Sequence, residues 1–206
     1  MRDSYLTIEQ ESEGFYKEKG SKFLAFAYPV TSEEEIKAKL DGLRKEYYDA
    51  RHHCYGYIYG HEGEYFRAND DGEPGHSAGD PILGQIKSRE LTNTLVVVIR
   101  YFGGTKLGVS GLIGAYKAAA AEALDANEIV KKDISERFRF AFPYEEMNTI
   151  MKLVKDLNLK ILNQGYDEQC TLDVEVIVST VLTMEEKVDL MQKMGNKLSF
   201  KLLGDN

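Results

Sequence analysis

Residues 70–123 read DDGEPGHSAGDPILGQIKSRELTNTLVVVIRYFGGTKLGVSGLIGAYKAAAAEA, and the order of elements in this stretch decides the fold. Leu95 to Ile99 is an apolar run long enough for a strand and too short for a buried helix. It passes through Arg100-Tyr101-Phe102 into Gly103-Gly104-Thr105-Lys106-Leu107-Gly108. A helix of small residues follows, with Gly111, Gly114, Ala118 and Ala121 on one face, where they should let its backbone pack closely. A strand, a Gly-rich turn and a helix together leave free backbone N–H groups facing an anion. With Arg100 and Lys106 beside it, the turn is the best anion site in the chain. It matches neither the Walker A spacing nor G-x-G-x-x-G. Ser110, in Gly-Val-Ser-Gly, lacks the residue that G-x-S-x-G places before its second glycine. The glycines also suit a tight turn with no ligand.

Upstream, Tyr5 to Ile8 and Gly14 to Lys19 read as short strands and Ser21 to Val30 as a longer one, with Pro29 unsuited to the centre of a sheet. Ser32-x-x-Glu35 is a capping box, and Ile36, Leu40, Leu43 and Tyr47 form the buried stripe of the helix it opens. His53 to Gly60 alternates, with His53, Tyr55, Tyr57 and Tyr59 on one face. Glu64 to Ala68 pairs back across His61-Glu62-Gly63. Residues 69–79 form a loop, after which Asp80-Pro81 reads as N-cap and first helical residue.

Downstream, a polar linker at 125–132 leads to a second pattern. Ile134 to Phe142 alternates Phe138, Phe140 and Phe142 on one face. A helix after Pro143 is expected to bury Met147, Ile150, Met151, Val154 and Leu157. Strands at 159–166 and 171–179 come next, then a helix opened by the box Thr183-x-x-Glu186, then a strand at 198–203. The order β-α-β-β-α-β is that of a ferredoxin-like domain. The chain is therefore expected to be α+β, with domains at 1–132 and 133–206.

The net charge is −8. Residues 1–132 carry 17 basic and 21 acidic side chains and residues 133–206 carry 9 and 13, so each part stands at −4. Contact with nucleic acid would therefore need a local basic patch on an acidic body. No apolar run is long enough for a membrane helix, and MRDSYLTIEQ lacks the features of a signal peptide. Cys54 and Cys170 match no metal or redox spacing, which suits a reducing cytoplasm.

All four histidines (His52, His53, His61 and His76) fall within 25 positions, near Cys54, Asp70, Asp71 and Glu73. Adjacent His52 and His53 face opposite ways on a strand, and no HxxxH, HxH or CxxC pair is present, so neither a metal nor another cofactor is expected. The tyrosine stripe suits a platform for stacking bases or, more simply, a sheet face covered by helices. Asp70-Asp71-Gly72-Glu73-Pro74 fits divalent-metal capture or plain turn chemistry.

The blocks ARHHCYGY (50–57), DDGEP (70–74), AGDPIL (78–83) and VIRYFGGTKLG (98–108) resemble the YigZ/IMPACT family. The resemblance implies an N-terminal domain like the second domain of ribosomal protein S-five and the fourth domain of elongation factor G, built on a split β-α-β. It implies a C-terminal domain like the fifth domain of elongation factor G. Eukaryotic relatives regulate translation under amino-acid starvation by competing for a kinase activator, but they carry a different extra domain. The family supplies no catalytic residues. Arg51, His52, His53, Asp70, Asp71, Glu73, Arg100, Gly103, Gly104 and Gly108 match its blocks and, with Lys106, form the expected anion or RNA site. His76 stands where the family tends to have glycine.

The resulting expectation is a cytoplasmic, translation-associated factor that binds RNA or a ribosome-associated surface, and no membrane. An enzyme acting on a phosphorylated small molecule at the Gly-rich turn is one alternative. A protein-interaction adaptor is the other.

Overall fold

In the computed structural model, which describes residues 3–204, the run Leu95–Ile99 lies in the middle strand of a five-stranded antiparallel sheet. The chain reaches it through β1 (Ser4–Ile8), β2 (Ser12–Glu18), β3 (Ser21–Pro29), α1 (Glu33–Glu46), β4 (His52–Tyr59), β5 (Tyr65–Asn69) and α2 (Gly79–Ser88). The run itself is β6 (Thr94–Tyr101), followed by α3 (Gly108–Asp125) and β7 (Ile129–Asp133). The strand order is β2-β3-β6-β4-β5. Val96 and Val98 face the core beneath α2 and α3, while Leu95, Val97 and Ile99 face the core beneath α1. Burial on both faces explains why β6 reads as unbroken apolar sequence rather than as alternation.

The alternating strands sort the same way. Tyr55 and Tyr57 lie under Ile36, Leu40 and Leu43 of α1, so the tyrosine stripe is a covered sheet face. Cys54 and Ile58 point to the opposite core. Ser32 Oγ accepts the Glu35 N–H at 3.3 Å, and Glu35 Oε2 accepts the N–H of Thr31, one residue before the cap, at 2.7 Å. Pro29 ends β3 beyond Ala27, the last residue paired with β2, where its missing N–H interrupts no ladder on that side.

Three local expectations are corrected. The small residues Gly111, Gly114, Ala118 and Ala121 do not form the buried face of α3; Leu112, Ala115, Tyr116, Ala119 and Ala123 do. Close approach comes instead from Gly14 of β2, where a side chain would collide with the Ala123 backbone. The α2 helix begins at Gly79, before Asp80, and has no side-chain cap of its own. Residues 129–133 are not free linker but β7, which pairs with β1.

Contacts divide the described chain into residues 4–132 and residues 133–204, the latter with Asp3. The second unit contains β8 (Ser135–Phe142), α4 (Met147–Asp156), β9 (Lys160–Tyr166), β10 (Cys170–Ile177), α5 (Val178–Lys193) and β11 (Ser199–Leu203). Its sheet is antiparallel, in the order β11-β8-β10-β9. Phe138, Phe140 and Phe142 meet Ile150, Val154, Met184 and Val188 in one core. Met151 is exposed, and Leu153 takes the buried place expected for it. Thr183 caps nothing: α5 starts five residues earlier, directly from β10, so Thr183 and Glu186 are interior helix residues.

Candidate functional site

Residues 70–79 are fastened to the sheet by partly buried polar groups. Asp70 Oδ1 accepts the N–H groups of Ala78 and Gly79 at 3.0 and 2.9 Å, and Oδ2 accepts that of His76 at 2.8 Å. It thus caps α2 from outside the helix. Burial pushes the Asp70 carboxyl up, but these N–H bonds outweigh it and hold the group below the usual carboxylate range. Asp71 Oδ2 accepts the His53 N–H at 2.6 Å. Glu73 Oε1 accepts from Arg100 Nη1 at 2.6 Å and from the Tyr116 hydroxyl at 2.7 Å. The Glu73 and Arg100 side chains are only 4% and 8% exposed. Cys54 Sγ lies 3.0 Å from the Asp70 carbonyl and 3.4 Å from the Tyr116 hydroxyl. Burial pushes that thiol up, which keeps it an uncharged structural group rather than a nucleophile.

The acidic block is therefore a clasp, and three expectations change with it. Asp70, Asp71 and Glu73 are spent on the protein's own donors. His53 is buried against the sheet, its Nε2 without a partner, and burial lowers its pKa. Arg100 is not a free surface cation: Glu73 neutralises it, and its guanidinium sits 5.7 Å from the ring centroids of both Phe23 and Phe102. His76 faces Asp80 at 2.6 Å with its backbone at a φ of 63°, a conformation that favours glycine.

Beside the clasp the structure brings Arg51, His52, Arg100 and Lys106 around a cleft of ≈ 470 Å³, with Asp49, Tyr101 and Phe102 completing its lining. His52 Nδ1 lies 2.8 Å from the Asp71 carbonyl. A carbonyl can only accept, so Nδ1 carries the proton and Nε2 is free. Asp49, the one carboxylate in the lining, accepts the Tyr101 hydroxyl at 2.7 Å. That bond, with burial and the Asp49 charge, pushes the Tyr101 pKa up to about 12, so the hydroxyl remains a donor. Among the described residues no ion pair uses Arg51 or Lys106.

The turn into α3 explains its glycines. A side chain on Gly103 would collide with the Gly20 carbonyl, and the Gly103 N–H donates to Ser21 Oγ at 3.2 Å. Gly104 has a φ of +88° and Gly108 one of +74°. The start of α3 has neither a side-chain cap bond nor an acidic residue in its first turn. Its N–H groups and dipole are left uncompensated beside Lys106.

A second hollow, also ≈ 470 Å³, shares Tyr101 and Phe102 with the first and is lined further by Phe15, Lys17, Gly20, Lys22 and Leu24. Sequence reasoning missed these residues. Alternation in 12–18 already put Phe15 and Lys17 on one face. Only the hairpin register sets Lys22 abreast of both Lys17 and Tyr101. Among the described residues, no three of His, Cys, Asp and Glu gather as a metal-holding group. No helix there is long and apolar enough to cross a membrane.

Residues 19–124, which hold the clasp, the cleft and the turn, match the Impact N-terminal domain. The chain belongs to the IMPACT family. The IMPACT family member YvyE of Bacillus subtilis is 31% identical, over 85% of this chain and 81% of its own. IMPACT family member YigZ of Escherichia coli is 30% identical, over 82% and 84%. A crystal structure of a hypothetical protein superposes over all of both chains with a TM-score of 0.71 at 26% identity. The mixed α/β architecture with antiparallel sheets is thus common to this chain and a solved structure.

Proposed function

We propose that this IMPACT family chain is a translation-associated factor that binds RNA, or a ribosome-associated surface, through phosphate at the cleft of residues 4–132. The observation that carries the reading is two cations without an ion pair among the described residues, Arg51 and Lys106, lining a cleft at an uncapped helix start, on a chain whose net charge is −8. Arg51 and Lys106 supply mobile charge, while the N–H groups opening α3 supply fixed direction. We infer further that residues 4–132 carry the split β-α-β of ribosomal protein S-five domain two, and that residues 133–204 are ferredoxin-like. The β-α-β-β-α-β order and the β11-β8-β10-β9 sheet support the second assignment.

The test is RNA binding measured against salt. Two to four neutralised phosphates give a slope of roughly −1.5 to −3.5 in log K against log salt. Lys106→Ala should weaken binding alike across sequences and make the slope shallower by about 0.7–0.9. Absence of RNA or ribosome binding at low salt, with a phosphorylated metabolite raising the Tm only when Lys106 is present, would replace this reading with an enzyme.

A further inference from the structure

The two hollows meet at Phe102 and Tyr101, and the second sets two exposed lysines side by side. Lys17 and Lys22 are directly paired across the β2–β3 ladder on the same face, and no ion pair among the described residues neutralises either. Like charges directly opposite one another destabilise a sheet, so the pair makes sense opposite an anion. Two aromatic rings flank it, and the Lys17 ammonium rests over one of them, 5.3 Å from the Phe15 ring centroid. Phe15 is 49% exposed and Phe102 is 60% exposed. The Phe102 ring rests against the Arg100 guanidinium, which is itself held by Glu73, so the ring is positioned before anything binds.

Resting on the phosphate reading above, we propose that the ligand is a single-stranded nucleic-acid segment running from the cleft across the β2–β3 face. Its bases stack on Phe102 and, as a phosphate draws the Lys17 ammonium off the ring it covers, on Phe15; its phosphates lie over Lys17 and Lys22. Exposed rings alternating with unpaired cations are what a single strand requires, because every base has a face to stack and every linkage a charge. A duplex hides its bases and would leave both phenylalanines unused. An acidic peptide would satisfy the lysines but gain little from two separated rings.

The experiment compares a labelled 12-nucleotide single-stranded uridine RNA, the same length of RNA duplex, and a poly-glutamate peptide, on the full chain and on Phe102→Ala, Phe15→Ala, Lys17→Ala, Lys106→Ala and Phe102→Tyr. The single strand should bind more tightly than the duplex. Each phenylalanine-to-alanine change should weaken it by about fivefold to about a hundredfold with no change in salt slope. Lys17→Ala should make that slope shallower by about 0.7, and Phe102→Tyr should retain binding. Equal affinity for duplex and single strand, with both phenylalanine variants silent and Lys106→Ala still weakening binding, overturns the stacking proposal and leaves the phosphate reading standing. Binding of the peptide alone overturns both.

Discussion

Removing the Glu73 carboxylate tests the clasp most directly. Glu73→Ala leaves the Arg100 guanidinium charged, buried and without its counter-ion, and takes the acceptor from Tyr116. Breaking one side of a buried ion pair costs about 3–5 kcal/mol. At about 3 °C per kcal/mol for a unit of this size, that is a fall in Tm of about 10 °C or more. Glu73→Gln also leaves the buried guanidinium without its counter-charge but keeps an acceptor oxygen for Arg100 and Tyr116, so it should cost less than Glu73→Ala by about 1–2 kcal/mol. The double variant Glu73→Leu with Arg100→Met removes both charges, and it should fall well short of the sum of its single changes. Urea unfolding followed by tyrosine emission is the suitable assay, because the chain has no tryptophan and 11 of its 13 tyrosines lie in residues 4–132. A Glu73→Ala protein that unfolds within about 1 kcal/mol of the parent would show that the pair does not hold the 70–79 loop.

Gly104→Val should lower stability by about 1–2 kcal/mol because its φ is +88° with open space around it, whereas Gly103→Ala must displace the Gly20 carbonyl and should cost more; thermal melts of the two variants, equal to the parent, would contradict this. Residues 133–206 expressed alone should melt cooperatively, since their core closes within the unit, and a fragment without a transition would count against the boundary. Stability of the 4–132 unit should fall in two stages with acid, read as the urea midpoint against pH. Burial keeps His53 below its ordinary 6.5, so the unfolded chain takes up that proton first and stability declines as pH drops below about 6.5. Asp70, with a depressed carboxyl, adds stability above about 3.8 that is lost as pH falls through its lower folded value. His53→Phe should abolish the first stage alone, and a decline unchanged in that variant would assign it elsewhere.

Local pattern was enough to find most elements of this chain. The unbroken 95–99 run, the tyrosine alternation and the three alternating phenylalanines each specify an element and a buried face through side-chain period alone. The Ser32 box located the start of α1 because a cap is a contact between residues three apart. The same signature at Thr183 failed, since Ser/Thr and Glu three apart occur equally well inside a helix. The anion cleft was half legible: Arg100, Lys106 and the glycines stood out, yet nothing local tells a surface arginine from one neutralised by Glu73, 27 residues away. Lys17, Lys22, Phe15 and Phe102 became a surface only through strand register and because β2 contributes no residue to the core under α1. Sequence period determines which face a side chain takes, but pairing between distant segments decides which charges are cancelled and which remain available to bind, because Coulomb partners are chosen by distance in space.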